Sequence, residues 1–337
     1  MGFYNSINRN LIAPASDLLF RRSIFQKLKF LEESQWWDRD QLLAYQNERL
    51  RKIIRYAYGE IPFYRTLYDR HGIKPDDIET VDDLTKLPVI QKKDIRTIAS
   101  QRNDRNVRAV KGISSGSTGK PLQYTKSMEA YSMHTAAGIR GWQWMGFSLG
   151  DKYMKISQNS RSGLIKRMQD KVNRSRYIFL KEINDDEFAR LFETIQIYGP
   201  DYLRCYPDPL YFFARYLQKN DLQLPAIKAI NTTGNILYPE ARALIEEQLN
   251  APIHDAYSCE GGAVFYQTSP GSPYYGADEY AITEVMDAGG NRVKAGENGR
   301  LVTTDLWNRE VPFIRYDTQD VVTLASDKSN SSQKRIP

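Results

Sequence analysis

The chain contains little cysteine and little histidine. Two cysteines, Cys205 and Cys259, stand among 337 residues, so a disulfide scaffold is excluded and a reducing compartment such as the cytoplasm fits best. The three histidines and the two cysteines are too far apart in sequence for a zinc-finger or zinc-ribbon pattern. No segment approaches the run of about 18 apolar residues that a membrane span requires, so we expect no integral membrane segment.

The composition is that of a globular protein, with 41% hydrophobic and 26% charged residues. Its net charge of +6 arises in residues 151–182, which hold nine basic and three acidic residues. Leu164, Met168 and Val172 recur there at helical spacing, which predicts a short amphipathic helix with a basic outer face. That face is either simply solvated or a docking surface for anions, such as an acidic carrier, a phosphorylated substrate tail or a membrane surface. Because aromatic residues are not interleaved with the basic ones, we expect no nucleic-acid partner.

The order of predicted elements indicates an α/β fold. Residues 1–100 are predicted to form a helical region. Over residues 101–258, β-rich segments alternate with helices, which predicts a core with a largely parallel sheet flanked by helices. Residues 259–325 are predicted to form a smaller antiparallel or barrel-like portion of the same domain, with strands that include one at 312–316. Residues 326–337 are polar and are predicted to be a flexible tail.

The strongest motif is the segment GISSGSTGKP at residues 112–121. Its glycines let backbone N–H groups approach an anion, its hydroxyls add donors, and its lysine adds a positive charge. It is not a Walker A loop, because Ser114 and Pro121 stand where that motif needs Gly and Ser/Thr. It is not a GxGxxG dinucleotide motif either. The segment therefore predicts a phosphate-binding loop, with a flexible serine- and glycine-rich turn as the alternative.

Around this loop the sequence resembles the acyl-adenylate-forming enzymes, in particular phenylacetate–coenzyme A ligases and their CapK-like relatives of capsular-polysaccharide synthesis. Residues 114–121 resemble the phosphate-binding signature of that family. The segment YSCE at 257–260 resembles its Tyr-Gly-x-x-Glu motif, and PFIRYDTQD at 312–320 resembles its Pro-x-x-Arg-Tyr-x-Thr-Gly-Asp motif. The resemblance implies the large N-terminal domain of the adenylate-forming fold. It ends before the smaller C-terminal subdomain, which we expect to be absent from this chain.

The resemblance also implies roles for individual residues. Glu260 would lie beside Mg²⁺ and ATP and would be catalytic together with Lys120. Asp320 would bond to the ribose hydroxyls. The residues expected to bind the nucleotide are Ser114, Ser115, Gly116, Ser117, Thr118, Gly119 and Lys120 at the β- and γ-phosphates, Thr233 and Gly234 against the adenine, and Tyr257 from the glutamate motif.

The implied reaction is ATP-dependent activation of a small-molecule carboxylic acid to an acyl-adenylate, followed by thioester formation with coenzyme A. Because the substrate carboxylate is itself the nucleophile, the scarcity of histidine is no obstacle to this chemistry. One alternative is a CapK-like adenylating enzyme with an acceptor other than coenzyme A. Another is a nucleotide-binding module whose catalysis is impaired because the C-terminal subdomain is missing. A homodimer is left open.

Three positions depart from the family pattern. Tyr257 and Glu260 are one residue closer together than in the family motif, and Asn235 stands where the family often has Glu. Gln319 replaces Gly, which predicts an altered turn before Asp320. His134, Trp142 and Trp144 are candidates either for the acid pocket or for the helix core.

Overall fold

The protein is described by a computed structural model that covers residues 2–102, 109–113, 121–160, 163–259 and 261–325. The predicted phosphate loop over Ser114–Lys120, the predicted catalytic Glu260 and the predicted tail lie outside the described residues. The chain forms two compact units, each built from separate segments. The first unit comprises residues 1–16, 141–258 and 265–274, and the second comprises residues 17–140, 259–264 and 275–337. The domain division drawn from the sequence stays a prediction.

The helices of the described residues are α1 (Phe3–Ile7), α2 (Ala13–Leu19), α3 (Ile24–Ser34), α4 (Arg39–Glu60), α5 (Pro62–Arg70), α6 (Lys92–Ser100), α7 (Met128–Trp144), α8 (Leu164–Val172), α9 (Asp185–Tyr198), α10 (Pro207–Lys219) and α11 (Pro239–Leu249). A π-helical turn (Asn8–Ile12) follows α1, and two 3-10 turns (Pro75–Asp77 and Val81–Lys86) lie between α5 and α6. The strands are β1 (Ala109–Ile113), β2 (Gln123–Ser127), β3 (Tyr153–Ser157), β4 (Ser175–Phe179), β5 (Tyr202–Cys205), β6 (Ala229–Thr233), β7 (Ile253–Ser258), β8 (Val264–Gln267), β9 (Tyr274–Gly276), β10 (Ala281–Met286), β11 (Asn298–Asp305) and β12 (Tyr316–Thr323).

The first unit is built on a seven-stranded sheet in the order β4-β3-β5-β6-β7-β8-β9. Strand β3 pairs in parallel with β4 and β5, β5 with β6, and β6 with β7, as the strand–helix alternation predicted. The chain moves from β3 toward one edge to form β4, and from β5 toward the other edge to form β6 and β7. The connections therefore diverge between β3 and β5, which is where open α/β sheets usually bind ligands.

Helices α9, α10 and α11 cover one face of this sheet. Buried Phe188, Phe213 and Ile245 from these helices pack into one core cluster with Ile156 and Leu203 from the strands. The sequence specifies α9 locally, because the Asn184 side chain caps it by accepting from the backbone N–H of Glu187. The connection from β3 to β4 runs toward the opposite edge of the sheet from the connections between β5, β6 and β7. Because crossovers between parallel strands are right-handed, α8 lies on the face opposite to α9, α10 and α11.

The second unit contains a three-stranded antiparallel sheet in the order β10-β11-β12 and an antiparallel hairpin of β1 and β2. Helices α3 to α6 belong to the same unit. In α4 the buried residues Leu50, Ile53, Ile54 and Ala57 follow the helical period, and an Asp38 capping box fixes the first turn. The predicted antiparallel portion is confirmed.

The prediction of a strand at residues 312–316 is wrong. In that segment the carbonyl of Pro312 accepts from the Tyr64 hydroxyl at 2.7 Å, and the backbone N–H of Ile314 donates to the same hydroxyl at 3.2 Å. Because these backbone groups bond to a helix side chain rather than to a neighbouring strand, the segment is irregular and β12 begins only at Tyr316. Strands β2, β4 and β9 were not predicted.

Candidate functional site

Two segments predicted to bind the nucleotide meet in the first unit. Strands β6 and β7 are parallel, and Thr233 pairs with Ala256 in their register. Gly234, which follows β6, therefore stands beside Tyr257 near the carboxyl end of β7. In parallel α/β sheets this edge is the usual ligand-binding edge.

Gly234 is required by its surroundings. Its φ is +93°, a conformation that glycine adopts without strain. A Cβ built on Gly234 would lie 2.6 Å from Cδ1 of Tyr206, the residue that follows β5. The Tyr206 ring therefore lies directly against the Gly234 backbone, beside the point where the connections of the sheet diverge. The next residue, Asn235, donates from its amide nitrogen to the Asp208 carboxylate at 2.5 Å.

A buried polar network supports this edge of the sheet. Asp255 accepts from the hydroxyls of Thr232 and Tyr274, and its backbone N–H donates to the Gln267 side chain at 3.0 Å. Burial raises the pKa of the Asp255 carboxyl, and the two hydroxyl hydrogen bonds oppose that shift. The network holds β6, β7, β8 and β9 together beneath Gly234 and Tyr257.

Trp142 is partly buried and packs against a small hydrophobic cluster of the first unit. Its indole N–H donates to the Asn231 side chain at 3.1 Å, and its ring makes edge contacts with Phe147 and Tyr153. The Arg204 guanidinium lies 5.5 Å from the ring centroid. His134 belongs to the second unit, where its ring contacts Tyr280 edge-on at 5.7 Å. The two residues therefore do not share one unit, and Trp144 is half-buried near the end of α7.

In the second unit the predicted phosphate loop joins the two strands of a hairpin. Ile113 of β1 pairs with Gln123 of β2, and residues 114–120 between them lie outside the described residues. A Walker A loop instead joins a strand to a helix, so the hairpin supports the distinction drawn from the sequence. At the base of the loop, a Cβ on Gly112 would lie 2.6 Å from the Tyr124 ring.

A chain of aromatic contacts links the segments that flank three of the predicted motifs. The Tyr124 ring contacts the Phe313 ring at 5.0 Å between centroids, and Phe313 contacts Tyr316 at 5.1 Å. Tyr316 in turn lies against Gly261, since a Cβ there would be 3.1 Å from Cδ1 of the tyrosine. Gly261 directly follows Glu260. The flanks of the loop, of Glu260 and of the Asp320 motif are thus packed together in one unit.

Asp320 lies on an irregularity of β12. The register with β11 shifts between Arg300, which pairs with Val321, and Val302, which pairs with Asp317. The bulge exposes Asp320, as bulges beside functional sites commonly do for one side chain. Gln319 has a φ of +68°, so the residue that replaces the family glycine adopts a glycine-like conformation. The altered turn predicted from this replacement is therefore not observed.

Arg315 of the same motif has a structural role. It is buried, and its guanidinium donates to the Glu284 carboxylate at 3.2 Å and to the backbone carbonyls of Thr85 and Leu87 at 3.2 and 2.5 Å. The backbone N–H of Arg315 donates to the Thr304 hydroxyl. The arginine therefore fixes the segment before β12 to the end of the 3-10 turn Val81–Lys86 and to the residue after it.

Thr233, Gly234 and Tyr257 come together in the first unit, and Asp320 lies in the second unit with the flanks of the loop and of Glu260. The nucleotide-binding and catalytic roles assigned to these residues and to the loop stay predictions. Among the described residues, no group of three or more His, Cys, Asp or Glu side chains could hold a metal ion. The sequence analysis did not identify Tyr206 as a candidate site residue. Its position directly after a parallel strand was the signal that could have indicated it.

Three curated relatives are similar over most of the chain. The phenylacetate–coenzyme A ligase of Aromatoleum evansii is 25% identical over 320 residues, which cover 90% of this chain and 71% of the relative. The ligase of the same name from Thermus thermophilus is 25% identical over 319 residues, covering 88% and 69%, and that of Escherichia coli is 25% identical over 306 residues, covering 85% and 68%. The chain is similar in sequence to the phenylacetate–coenzyme A ligases over most of its length. No family model matches it.

Comparison with solved structures gives the fold of the chain. 2-Hydroxyisobutyryl-CoA ligase in an open conformation with 2-HIB-AMP and CoA has a TM-score of 0.69 at 20% identity, covering 86% of this chain and 71% of that chain. The same ligase in the postadenylation state with R3-HIB-AMP has a TM-score of 0.72 at 18% identity, covering 90% and 67%. The predicted adenylate-forming fold is confirmed. No helix within the described ranges has the length and apolar character to cross a membrane.

Proposed function

We propose that the chain activates a carboxylic acid with ATP and transfers the acyl group to coenzyme A. In the first step a carboxylate oxygen attacks the α-phosphorus of ATP, and the bond to pyrophosphate breaks. In the second step the coenzyme A thiol, losing its proton, attacks the acyl carbon, and AMP leaves. The relatives are named phenylacetate–coenzyme A ligases, which favours coenzyme A over the CapK-like acceptor. A cytoplasmic location belongs to the same proposal.

The observation that carries the proposal is the aromatic chain of the second unit. Tyr124, Phe313 and Tyr316 connect Gly112, at the base of the phosphate loop, to Gly261, which adjoins Glu260. These residues flank three motifs that lie between about 50 and 200 positions apart in the sequence. A fold that packs their flanks together has the arrangement that a shared nucleotide site requires.

Each remaining site residue takes a role that its position supports. The edge of the sheet at Gly234 suits a flat purine base, because the Tyr206 and Tyr257 rings near it offer aromatic faces on which a base can stack. Exposed Asp320 suits the two hydroxyls of a ribose, to which a carboxylate accepts hydrogen bonds. Ser114–Lys120 would supply N–H, hydroxyl and ammonium groups to the phosphates.

A magnesium ion fits this donor set. Mg²⁺ in nucleotide sites is commonly held by one or two carboxylates together with the phosphates of the substrate, and Glu260 supplies one carboxylate in the adjoining segment. Bound there, the ion would neutralise phosphate charge as pyrophosphate leaves. The chain's own contribution is to position the carboxylate through Gly261 and Gly262, which pack against Thr303 and Asp305 of β11.

The proposal is tested by measuring pyrophosphate release from ATP with a panel of aryl and alkyl acids that begins with phenylacetate. We expect release that depends on the acid, and an acyl-coenzyme A product when coenzyme A is added. Asp320→Ala should reduce ATP affinity without changing the melting temperature. Failure of every acid, together with no measurable ATP binding, would contradict the proposal.

A further inference from the structure

Helix α8 of the first unit presents three apolar side chains to solvent. Leu164, Met168 and Val172 are 78, 69 and 43% exposed. Asp170, on another side of the helix, is half-buried and accepts from the Ser175 hydroxyl at 3.1 Å. A surface helix of a globular protein usually buries its apolar stripe against the core and exposes its polar face. In α8 these three apolar side chains are exposed instead.

Cationic side chains border the exposed stripe. At about 100° per residue, Lys171 lies about 20° and Arg167 about 60° from Leu164 around the helix axis, and both are exposed. Residues 151–182 around the helix hold nine basic and three acidic residues. The charge of this face is therefore strongly positive next to an aliphatic stripe.

Helix α1 of the same unit extends the stripe. The Tyr4 hydroxyl donates to the backbone carbonyl of Val172 at 2.6 Å, and the Arg174 guanidinium lies 5.1 Å from the centroid of the Tyr4 ring. Phe3, the adjacent residue, is 85% exposed. We call Phe3, Leu164, Arg167, Met168, Lys171 and Val172 the α8 surface.

We propose that the α8 surface binds the interface of an anionic lipid bilayer. Aliphatic and aromatic side chains can enter the boundary between headgroups and acyl chains, while flanking Lys and Arg side chains reach the anionic headgroups. A nucleic acid would contact the cations, but it would leave the exposed leucine and methionine without an apolar partner. The chain would then lie on a membrane rather than cross it.

Sedimentation of the 337-residue chain with lipid vesicles tests this proposal. We expect binding to vesicles of phosphatidylcholine with phosphatidylglycerol, and at least tenfold weaker binding to phosphatidylcholine alone. Leu164→Ser with Met168→Ser should weaken binding to the anionic vesicles more than tenfold, because two apolar side chains that would enter the bilayer are lost. Arg167→Gln and Lys171→Gln should each weaken it about fivefold and reduce its dependence on salt.

Matched control changes lie on the opposite face of the sheet. Ile197→Ser in α9 removes an apolar side chain that is 83% exposed, and Arg215→Gln in α10 removes an exposed cation. Both should bind anionic vesicles as the unchanged chain does. The proposal is overturned if the unchanged chain stays in the supernatant, or if the Leu164/Met168 variant still binds. It is also overturned if polyglutamate, a probe for an acidic protein partner, binds while anionic vesicles do not.

Discussion

The Tyr206 ring lies against the backbone of Gly234, so closely that a Cβ on Gly234 would be 2.6 Å from Cδ1 of the ring. Gly234→Ala should therefore displace Tyr206 and close the space proposed for the adenine. We expect a loss of about 1–3 kcal/mol of stability from overpacking and at least a tenfold loss of ATP affinity by calorimetry.

Gly290→Ala is the matched control for that change. Gly290 also has a positive φ, +83°, but nothing lies within 4 Å of its Cβ position. It should lose about 1 kcal/mol through backbone strain alone and keep its ATP affinity. Equal effects of the two substitutions on ATP binding would show that the contact with Tyr206 does not shape the site.

Gly261→Ala tests the packing that positions Glu260. Its Cβ would collide with the hydroxyl oxygen of buried Thr303 and would press on Tyr316. We expect the variant to lose stability and acid-dependent pyrophosphate release together.

Thr303→Ala in the Gly261→Ala background should restore much of both losses, because it removes the colliding oxygen. Gly59→Ala in α4 has nothing within 4 Å and should be neutral or stabilising by up to about 1 kcal/mol. Failure of the double variant to recover either property would refute the packing explanation.

Arg315 and Asp320 belong to one motif, but substitutions should affect different properties. Arg315→Met leaves the buried Glu284 carboxylate without one of its cationic partners and should cost about 3 kcal/mol of stability. Asp320→Asn, at an exposed position, should change stability by less than about 0.5 kcal/mol yet lower ATP affinity about tenfold or more. Chemical unfolding and calorimetry on both variants separate the two effects. An unfolding loss at Asp320 with unchanged affinity would reverse the assignment.

Asp305 gives a dependence of stability on pH. Burial raises its pKa from 3.8 to about 6, while the backbone N–H groups of Trp307 and Asn308 donate to it and oppose the shift. Between these two values the folded chain keeps a proton that the unfolded chain releases, so stability falls as pH rises. Asn can accept the same N–H bonds without ionising.

Asp305→Asn should therefore gain stability relative to the unchanged chain as pH rises from 4 toward 7. The gain should approach about 3 kcal/mol and then level off. Urea unfolding of both chains across this range measures it. A difference between the two chains that does not vary with pH would show that Asp305 does not titrate in this way.

Much of the architecture could be predicted because it is encoded locally. Strand and helix patterns along residues 153–258 predicted the parallel sheet, and the closer strands after 258 predicted the antiparallel one. The segment at 312–316 misled the prediction because its backbone bonds to Tyr64, which lies 248 residues away from Pro312. Local pattern carries no information about such a partner.

The motifs indicated which segments belong to the candidate site but not their backbone geometry. The replacement of glycine by Gln319 predicted an altered turn, but its φ of +68° shows that the backbone there keeps a glycine-like conformation. The contact between Tyr206 and Gly234 joins the ends of two separate strands, so it could be found only in the folded chain. The same holds for Arg315, whose partner Glu284 is 31 residues away.

The most direct test of the proposed function is calorimetric binding of a phenylacetyl-sulfamoyl adenosine, a stable mimic of the acyl-adenylate. We expect one site per chain that binds this mimic more tightly than AMP, with affinity reduced at least tenfold by Gly234→Ala and by Asp320→Asn. Absence of binding, or equal affinity in both variants and the unchanged chain, would contradict it.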